Sequence, residues 1–338
     1  MSGRSEPANV AGAGLGERAW QLLGLLADGE FHPGAALAQA LGLSRPSVGK
    51  LAARMEAQGV VVQRIQGRGY RLAQPWQPLR AEAVRAALGD LRDEFSLEIR
   101  REATSTNALL LQQAAQHARS GSVLVAEWQT AGRGRLGRPW ISGLGNALTF
   151  SLLWRFDVGL NALAGLSLAV GVAIVRALNV LGAHDVGLKW PNDVLTPQGK
   201  LAGVLIEAQG DMLGPSAVVI GIGLNVRPPA LDAMLRIDQP VSALSQTCAV
   251  LPEREIILAV LLRELSGTLH TFALEGLASL RAEWQKYHVH QDQPVRVKMP
   301  DGRILEGIAR GINPAGELRL ETAGGMLTLN SGELGAGT

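Results

Sequence analysis

The chain has 338 residues, of which 47% are hydrophobic and 18% are charged, and its formal net charge is +2. This length allows two or three domains with their own cores, and the balance of apolar and charged residues excludes an intrinsically disordered chain. The small net charge excludes a general polyanion binder, so any basic site has to be local. The single cysteine, Cys248, excludes an intramolecular disulfide and a cysteine-based zinc site, and it fits a reducing cytoplasm.

The beginning of the chain, MSGRSEPANVAGAGLG, lacks the apolar core of a secretory signal. Its Gly, Ala and Ser content predicts that residues 1–16 form a disordered tail. No uninterrupted apolar run reaches the roughly 18 residues that a membrane span needs. We therefore expect a cytoplasmic protein with no membrane partner.

Residues 17–74 have the pattern of a winged helix-turn-helix DNA-binding domain. Three helical stretches are predicted: the first stops at Gly29, the second stops at Gly42, and the third begins after Ser44 as its N-cap. The run VVVQRIQGRGYRL then has two β-type segments around glycines, which indicates a hairpin. Three helices followed by a hairpin are typical of the winged helix, in which the third helix enters the major groove.

The third helix and the hairpin supply the candidate DNA contacts. Residues 17–72 contain seven Lys or Arg against four Asp or Glu. A three-helix packing module with solvated arginines is the alternative, but the helix order, the turn glycine and the basic hairpin together favour DNA. The candidates are Ser44, Arg45, Ser47, Lys50 and Arg54 in the helix, and Arg64, Arg68 and Arg71 in the hairpin.

The rest of the chain divides into a linker and two further domains. Residues 75–80 are proline-rich and predict the linker. Residues 81–285 interleave long helical stretches with apolar β runs, which predicts a large α/β domain on a mixed sheet. In residues 286–338, short apolar runs divided by PDG, NPAG and AGG predict a small β-barrel of about five strands. The fold class is therefore α+β multidomain.

The stretch AGRGRLGRPW, residues 131–140, concentrates three arginines on a glycine-rich backbone. Its glycines match G-x-G-x-x-G, but Pro139 and an apolar β run follow where a dinucleotide site needs a helix, so we reject that site. A P-loop is also rejected, because Arg138 and Pro139 stand where Lys and Ser or Thr are required. Forked guanidinium donors for a phosphate or carboxylate remain, on a loop predicted to order when an anion binds. The alternative is an exposed basic loop without a partner.

Four other stretches carry polar groups that suit a ligand, and each also has a structural interpretation. In KWPND, Asp193 taken alone is a loop-to-strand turn residue, and Asn-Asp after a proline is ordinary in turns. Lys200 precedes an apolar strand, as an edge lysine or as a cation aimed at an anion. Asn225 lies near the end of the run GIGLNV, where its amide suits an adenine edge. STN begins a helix with the N-cap Ser105, and its polar groups, like the amide of Gln129, suit a polar ring.

The motifs STN, GRGRLGRPW, KWPND, GKLAGVLIE and GIGLNV occur here in the order found in biotin protein ligases. With the N-terminal pattern, residues 17–334 resemble the bifunctional bacterial ligases that also repress biotin-synthesis genes. The resemblance implies a winged helix-turn-helix, a central α/β ligase domain and a C-terminal SH3-like β-barrel.

The resemblance also implies a two-step reaction. Biotin and MgATP form biotinyl-5′-AMP, and a lysine of the biotin carboxyl carrier protein of acetyl-CoA carboxylase then takes the biotin. It further implies operator DNA as a partner and a homodimer that forms when biotinyl-5′-AMP binds. Mg²⁺ is expected to be held mainly by phosphates and water, so no protein ligand is predicted for it.

Individual roles follow from the resemblance as well. The expected catalytic residues are Lys200, Arg135 and Asp193: Lys200 contacts the carboxylate and phosphate, Arg135 retains the adenylate, and Asp193 assists the incoming amine. The expected biotin-binding residues are Ser105, Thr106, Asn107, Gln129, Arg133, Gly134, Arg135 and Lys200. The expected ATP- and adenylate-binding residues are Arg135, Arg138, Trp140, Lys189, Asn192 and Asn225.

Three alternatives differ from this hypothesis in function. A lipoate–protein ligase would share the α/β domain, but the arginine loop and the DNA-binding domain argue against it. A ligand-sensing transcription factor with an inactive enzyme domain is disfavoured because Lys200, Arg133 and Arg135 are intact. The sequence leaves open a ligase whose N-terminal domain only stabilises the fold.

Overall fold

The computed structural model describes residues 14–141, 143–229, 237 and 239–337, so most of the predicted tail lies outside the described residues. The N-terminal region has the predicted order of three helices and a hairpin. Its elements are α1 (Glu17–Leu25), α2 (Gly34–Leu41), α3 (Arg45–Ala57), β1 (Val62–Ile65) and β2 (Gly69–Leu72).

Local chemistry sets these boundaries. Gly42 ends α2 with a left-handed φ of 63°, which costs a glycine little. Ser44 caps α3, its hydroxyl accepting from Ser47 N at 3.4 Å. Strands β1 and β2 pair antiparallel, and His32 bridges to Tyr70 beside them. The predicted winged helix-turn-helix is confirmed.

The central region is built on one mixed sheet in the order β3-β4-β5-β9-β8-β7-β6. Strands β3 and β4 pair parallel, and the other neighbours pair antiparallel. The strands are β3 (Ser96–Ala103), β4 (Ser122–Gln129), β5 (Ala147–Phe156), β6 (Gly187–Lys189), β7 (Asp193–Thr196), β8 (Gly199–Gly210) and β9 (Ser216–Asn225). The helices are α4 (Ala81–Leu88), α5 (Thr106–Ala115), α6 (Leu166–Val180), α7 (Arg254–Glu275) and α8 (Arg281–Tyr287).

Helices cover both faces of this sheet. The main core packs α6 and α7 against one face, with Phe150 and Ile220 among its fully buried residues. On the other face, Leu110 of α5 packs on Leu124 and Val219. Strands β5 and β9 are buried along nearly their whole length, as expected for central strands covered on two sides.

Helix α7 is long and apolar enough to cross a membrane by length and composition alone. More than half of its most apolar stretch is buried inside the protein, and Leu258, Leu262 and Leu265 belong to the main core. Its apolar character is that of a core helix.

The C-terminal region is an antiparallel sheet in the order β13-β12-β11-β10-β14. Its strands are β10 (Pro294–Lys298), β11 (Ile304–Ile312), β12 (Leu318–Thr322), β13 (Gly325–Leu329) and β14 (Glu333–Ala336). Among the described residues, the two edge strands β13 and β14 do not pair with each other, so the strands are as predicted but a closed barrel is not shown.

The predicted linker, residues 75–80, forms no helix or strand, yet it packs tightly. Trp76 N donates to Ala27 O at 2.9 Å, and the Trp76 ring lies 6.0 Å from that of Trp20. Trp128 of β4 joins the same buried cluster. The N-terminal domain therefore rests directly on the strand that leads into the arginine loop.

Candidate functional site

A cavity of about 450 Å³ opens between the arginine loop, residues 131–140, and the strands β8 and β9. The start of α5, the turn between β6 and β7, and the first residues of β14 complete its wall. Every residue predicted for biotin, ATP or catalysis lines this cavity. They are Ser105, Thr106, Asn107, Gln129, Arg133, Gly134, Arg135, Arg138, Trp140, Lys189, Asn192, Asp193, Lys200 and Asn225.

The N-terminus of α5 forms one polar wall of the cavity. Ser105 caps the helix, since its hydroxyl accepts from Ala108 N at 3.5 Å. The side-chain oxygen of Gln129 accepts from Thr106 N at 2.8 Å and lies 3.2 Å from the Thr106 hydroxyl. Strand β4 thus places the Gln129 amide next to the start of α5, where the sequence predicted that both would contact the same ligand.

Asn107 is fixed by hydrogen bonds to groups on two strands, β8 and β5. Its Nδ2 donates to Leu205 O at 3.2 Å and to Glu207 Oε2 at 3.0 Å, while the Ser151 hydroxyl donates to its Oδ1 at 2.5 Å. A side chain at Gly221 would collide with this amide, because its Cβ would lie 2.2 Å from Asn107 Oδ1. The amide therefore has one defined orientation.

The arginine loop is folded by its own backbone. Gly134 N donates to Arg138 O at 2.7 Å, and Trp140 N donates to Gly132 O at 2.9 Å. Between these bonds, Leu136 takes a left-handed φ of 55°. The sequence-based expectation that an anion orders this loop did not foresee this internal support.

Protein groups also meet all three guanidinium groups of the loop. Two of the partners are carboxylates, and one of these belongs to β14 of the C-terminal region. The pairs are Arg133 Nη2 with Glu207 Oε1 (3.2 Å), Arg135 Nη1 with Asn192 Oδ1 (3.2 Å), and Arg138 with Glu333. The protein itself thus supplies acceptors in the positions where a ligand anion is expected.

Lys200 and Asp193 form an ion pair beneath the loop. Lys200 Nζ lies 2.7 Å from Asp193 Oδ1, and the two side chains are 16% and 14% exposed. Asn225 holds the start of β8 by donating to Lys200 O at 3.2 Å. A phosphate or carboxylate that enters the cavity would compete with Asp193 for this ammonium group.

Trp140 lies against the sheet beside that ammonium. A Cβ at Gly223 would lie 2.4 Å from the indole, and one at Gly203 would lie 3.4 Å from it, so both glycines make room for the ring. Lys200 Nζ is 5.8 Å from the ring centre. The arrangement places a flat aromatic surface next to a cation, which suits a nucleotide base and its phosphate.

Burial changes the ionisation of two cations in the cavity. It lowers the pKa of Lys189, with Asp193 opposing the change, and it lowers the pKa of Arg135, with Asp193 and Glu333 opposing. Partial desolvation of a cation strengthens its attraction for an anion that displaces the remaining water.

Sequence reasoning missed Glu333, which lines the cavity, and two polar residues that contact its lining, Glu207 and Ser151. Glu207 ends the motif GKLAGVLIE, so its charge after an apolar run was a visible signal. Ser151 is hidden in the apolar run NALTFSLLW, where nothing local marks it. Glu333 belongs to another region of the chain, so only the fold brings it to the cavity.

The candidate DNA contacts lie on the N-terminal domain, and none of them lines the cavity. Ser44, the N-cap of α3, is exposed, as are Arg45 and Lys50 within the helix. In the hairpin, Arg68 and Arg71 place their guanidinium carbons 4.3 and 4.7 Å from the centre of the Phe31 ring. Three other candidates have contacts within the domain. Ser47 shares a hydrogen bond with the Ser44 hydroxyl, the Arg64 guanidinium lies over the Tyr70 ring, and Arg54 donates to Gly14 O.

A resident metal site is not found in the described part of the chain. No group of three or more His, Cys, Asp or Glu there is placed to hold an ion. Asp193, a carboxylate of the cavity, is already paired with Lys200.

Family comparisons cover all three regions. Residues 99–225 match the Biotin/lipoate A/B protein ligase family, and residues 290–334 match the Biotin protein ligase C terminal domain. Residues 13–70 match the MarR family.

Individual relatives extend over nearly the whole chain. The chain is 37% identical over 318 residues to the bifunctional ligase/repressor BirA of Escherichia coli. The matched residues cover 93% of this chain and 95% of that protein. It is 37% identical to the biotin--[acetyl-CoA-carboxylase] ligase of Mycobacterium tuberculosis, over 70% of this chain and 88% of the relative. A structure of biotin protein ligase from Aquifex aeolicus in complex with biotin and ATP superposes with a TM-score of 0.60 at 27% identity, covering 71% of this chain and 97% of that one.

Proposed function

The chain belongs to the family of bifunctional ligase/repressor BirA proteins, and from this premise we propose that it is an ATP-dependent biotin protein ligase and a biotin-responsive repressor. The carrying observation is the cavity in which the Lys200–Asp193 pair lies between a polar wall and the arginine loop. Biotin and ATP are the proposed ligands.

Biotin binds along the wall formed by α5 and β4. Its ureido ring needs hydrogen-bond donors and acceptors on opposite edges, and hydroxyl and amide groups supply both. The proposed biotin-binding residues are Ser105, Thr106, Asn107, Gln129, Arg133, Gly134, Arg135 and Lys200.

ATP binds on the other side, against Trp140 and the turn between β6 and β7. The indole offers its face to adenine, and cations near it meet the phosphates. The proposed nucleotide-binding residues are Arg135, Arg138, Trp140, Lys189, Asn192 and Asn225. Mg²⁺ is proposed to arrive with the substrate as MgATP, held mainly by phosphates and water.

In the first step, biotin's carboxylate attacks the α-phosphate of ATP, forming biotinyl-5′-AMP and releasing pyrophosphate. Two anions have to approach each other, and Lys200 neutralises the charge that gathers between them. Asp193 holds Lys200 until the ligands displace it.

In the second step, the amine of a carrier lysine attacks the mixed anhydride and AMP leaves. Asp193, freed from Lys200, accepts a hydrogen bond from that amine and takes up the proton that the nitrogen loses as the amide bond forms. Arg135 and the loop cover the adenylate and keep water away from it. The proposed acceptor is the biotin carboxyl carrier protein of acetyl-CoA carboxylase.

The N-terminal domain binds operator DNA through α3 and the hairpin. The proposed contacts are Ser44, Arg45, Ser47, Lys50, Arg54, Arg68 and Arg71. Biotinyl-5′-AMP promotes homodimerisation, which raises operator affinity because a dimer binds two half-sites.

The domain organisation is part of the same proposal. Residues 17–74 bind DNA, 75–80 link, 81–285 catalyse, and 286–338 form the SH3-like domain, whose Glu333 reaches the catalytic cavity. We assign the protein to the cytoplasm, where its carrier and operator occur.

Biotin-dependent exchange of labelled pyrophosphate into ATP tests the ligase. We expect exchange with biotin and none with lipoate at the same concentration. Exchange with lipoate alone would assign the cavity to the other cofactor, and no exchange with either would contradict a ligase.

A further inference from the structure

Glu207 connects two parts of the cavity wall that the chain keeps far apart. It accepts from Asn107 Nδ2 at 3.0 Å, and Arg133 Nη2 lies 3.2 and 3.3 Å from its two carboxylate oxygens. One carboxylate on β8 therefore contacts the start of α5 and the start of the arginine loop together.

These contacts extend a continuous line of polar groups. Gln129 is bonded to Thr106, whose hydroxyl lies 2.7 Å from Ser151 Oγ, and Ser151 lies 2.5 Å from Asn107 Oδ1. Glu207 carries the line from Asn107 to the loop. Because each group in this line has a hydrogen-bond partner, a displacement of Gln129 is expected to shift Arg133, and the reverse.

Glu207 also decides which way the Asn107 amide faces. A carboxylate only accepts hydrogen bonds, so the Asn107 atom beside it has to be the NH₂ group. The oxygen of the amide then faces the Ser151 hydroxyl, as observed. Removing the charge of Glu207 weakens this preference and leaves Leu205 O as the remaining acceptor for the NH₂ group.

Stabilising the fold is a poor explanation for this glutamate. The Arg133 and Glu207 side chains are 46% and 28% exposed, and ion pairs this solvated contribute little to stability. The value of the pair lies in where it holds Arg133.

We infer that Glu207 is a positioning residue for biotin, acting through Asn107 and Arg133; this inference rests on the proposed ligase function. Both of its partners belong to the proposed biotin-binding set, and neither belongs to the nucleotide-binding set. Loss of Glu207 therefore weakens biotin binding and leaves ATP binding nearly unchanged.

The experiment measures KM for biotin and for ATP by pyrophosphate exchange in the full-length protein. For Glu207→Gln we expect the biotin KM to rise about tenfold, with the ATP KM and kcat within about twofold of wild type. Glu207→Asp keeps the charge and should recover at least half of the loss on a logarithmic scale.

Glu98→Gln is a matched control on the same sheet. Glu98 of β3 also accepts from an arginine, Arg100 Nε at 2.6 Å, and from an amide, Gln113 Nε2 at 3.0 Å. Neither of these partners lines the cavity, whereas Asn107 and Arg133 both do. Both KM values of this variant should match wild type.

A double variant tests whether Glu207 acts through the loop. If it does, adding Glu207→Gln to Arg133→Gln should raise the biotin KM by no more than about threefold, because Asn107 alone remains to be affected. A full tenfold further rise, or an ATP KM that rises together with the biotin KM, would overturn the inference.

Different results would contradict the proposed ligase function and the inference about Glu207. Wild-type protein without biotin-dependent exchange contradicts the ligase assignment and this inference with it. Active wild type with an unchanged biotin KM in Glu207→Gln contradicts the inference alone.

Discussion

The arginines of the loop and those of the hairpin are held in opposite ways. In the loop, Arg133 and Arg138 pair with the carboxylates Glu207 and Glu333. In the hairpin, Arg68 and Arg71 lie over the Phe31 ring, and neither has an ion pair with a carboxylate among the described residues. An aromatic face orients a guanidinium group without neutralising it, whereas a carboxylate does both.

The difference matches the size of the anion that each region is proposed to meet. A DNA backbone presents a regular row of phosphates, and binding gains from every cation that is not already neutralised. A small ligand brings few charges and needs them met at fixed points, so donors held in place by protein acceptors are an advantage. Among the described residues, Arg68 and Arg71 of the hairpin thus have no carboxylate partner. In the cavity, Arg133, Arg138 and Lys200 each have one.

The largest effect that tests this comparison is at Lys200. Lys200→Met removes the cation and leaves Asp193 without its partner, so we expect adenylate formation to fall about 10³-fold. Pyrophosphate exchange measures the loss. The exchange rate of Lys286→Met, which removes an exposed lysine of α8, should stay close to that of wild type. If Lys200→Met lowered the rate less than tenfold, the arginines would be sufficient to neutralise the reacting anions.

His288 provides a third setting, a basic group that is buried outside the cavity. It is 5% exposed and its ring lies 4.6 Å from that of Trp284. Burial, aided by nearby His290, lowers its pKa from 6.5 to about 4. Between these pH values the unfolded chain therefore takes up a proton at His288, while the folded chain does not. The free energy of unfolding is not reduced by His288 above pH 6.5, and it decreases as the pH drops towards 4.

From this shift, wild type should lose about 3 kcal/mol more than His288→Phe between pH 7.5 and pH 4. Urea unfolding of both proteins, followed by tryptophan fluorescence, measures the difference. Parallel losses in the two proteins would show that His288 is not the titrating group.

Arg45 and Lys50 test the exposed side of the comparison. Replacing both by Ala should weaken binding to operator DNA about 100-fold and reduce the salt-dependence slope by about two, because each exposed cation is proposed to meet a phosphate. Fluorescence anisotropy with a duplex selected by wild-type protein in biotin and ATP measures both. Ligation should be unchanged, and unchanged DNA binding would move the interface elsewhere.

The sequence predicted most of this framework for identifiable physical reasons. Caps and glycines such as Ser44 and Gly42 act locally, so the N-terminal helices could be placed from short patterns. The cavity residues were found because they fall within compact motifs, and the fold then gathered all of them. The resemblance to biotin protein ligases and the assigned enzyme class are confirmed by the relatives.

What the sequence did not predict depends on contacts between distant segments. Glu333 approaches Arg138 only because the C-terminal sheet packs beside the loop. Trp76 lies in a proline-rich stretch that reads as a free linker, and its packing on Trp20 is visible only in three dimensions. Strand pairing at the two ends of the C-terminal sheet likewise has no local signal, so closure of a barrel could not be settled from turns alone.

Arg135 tests the cavity side of the comparison, with a smaller effect. Arg135→Gly removes the donor to Asn192 and should increase biotinylation of bystander proteins about tenfold, because the adenylate escapes sooner. Leu136→Gly is the matched control, since it adds a glycine to the same loop at an exposed position without removing a cation. Equal leakage from both variants would assign retention to loop stiffness instead of the guanidinium.

The smallest effect is expected at Phe31, and it bears on the comparison most directly. Phe31→Leu keeps an apolar side chain but removes the ring beneath Arg68 and Arg71, and two exposed cation–π contacts of about 0.5 kcal/mol each predict roughly fivefold weaker DNA binding. Phe31→Tyr keeps the ring and should bind within about twofold of wild type. If both variants bind like wild type, the ring does not orient the arginines, and the contrast between the two regions reduces to the presence or absence of carboxylates. If only Phe31→Leu is weakened, an aromatic ring does for the hairpin what Glu207 and Glu333 do for the loop, while leaving the charge available to DNA.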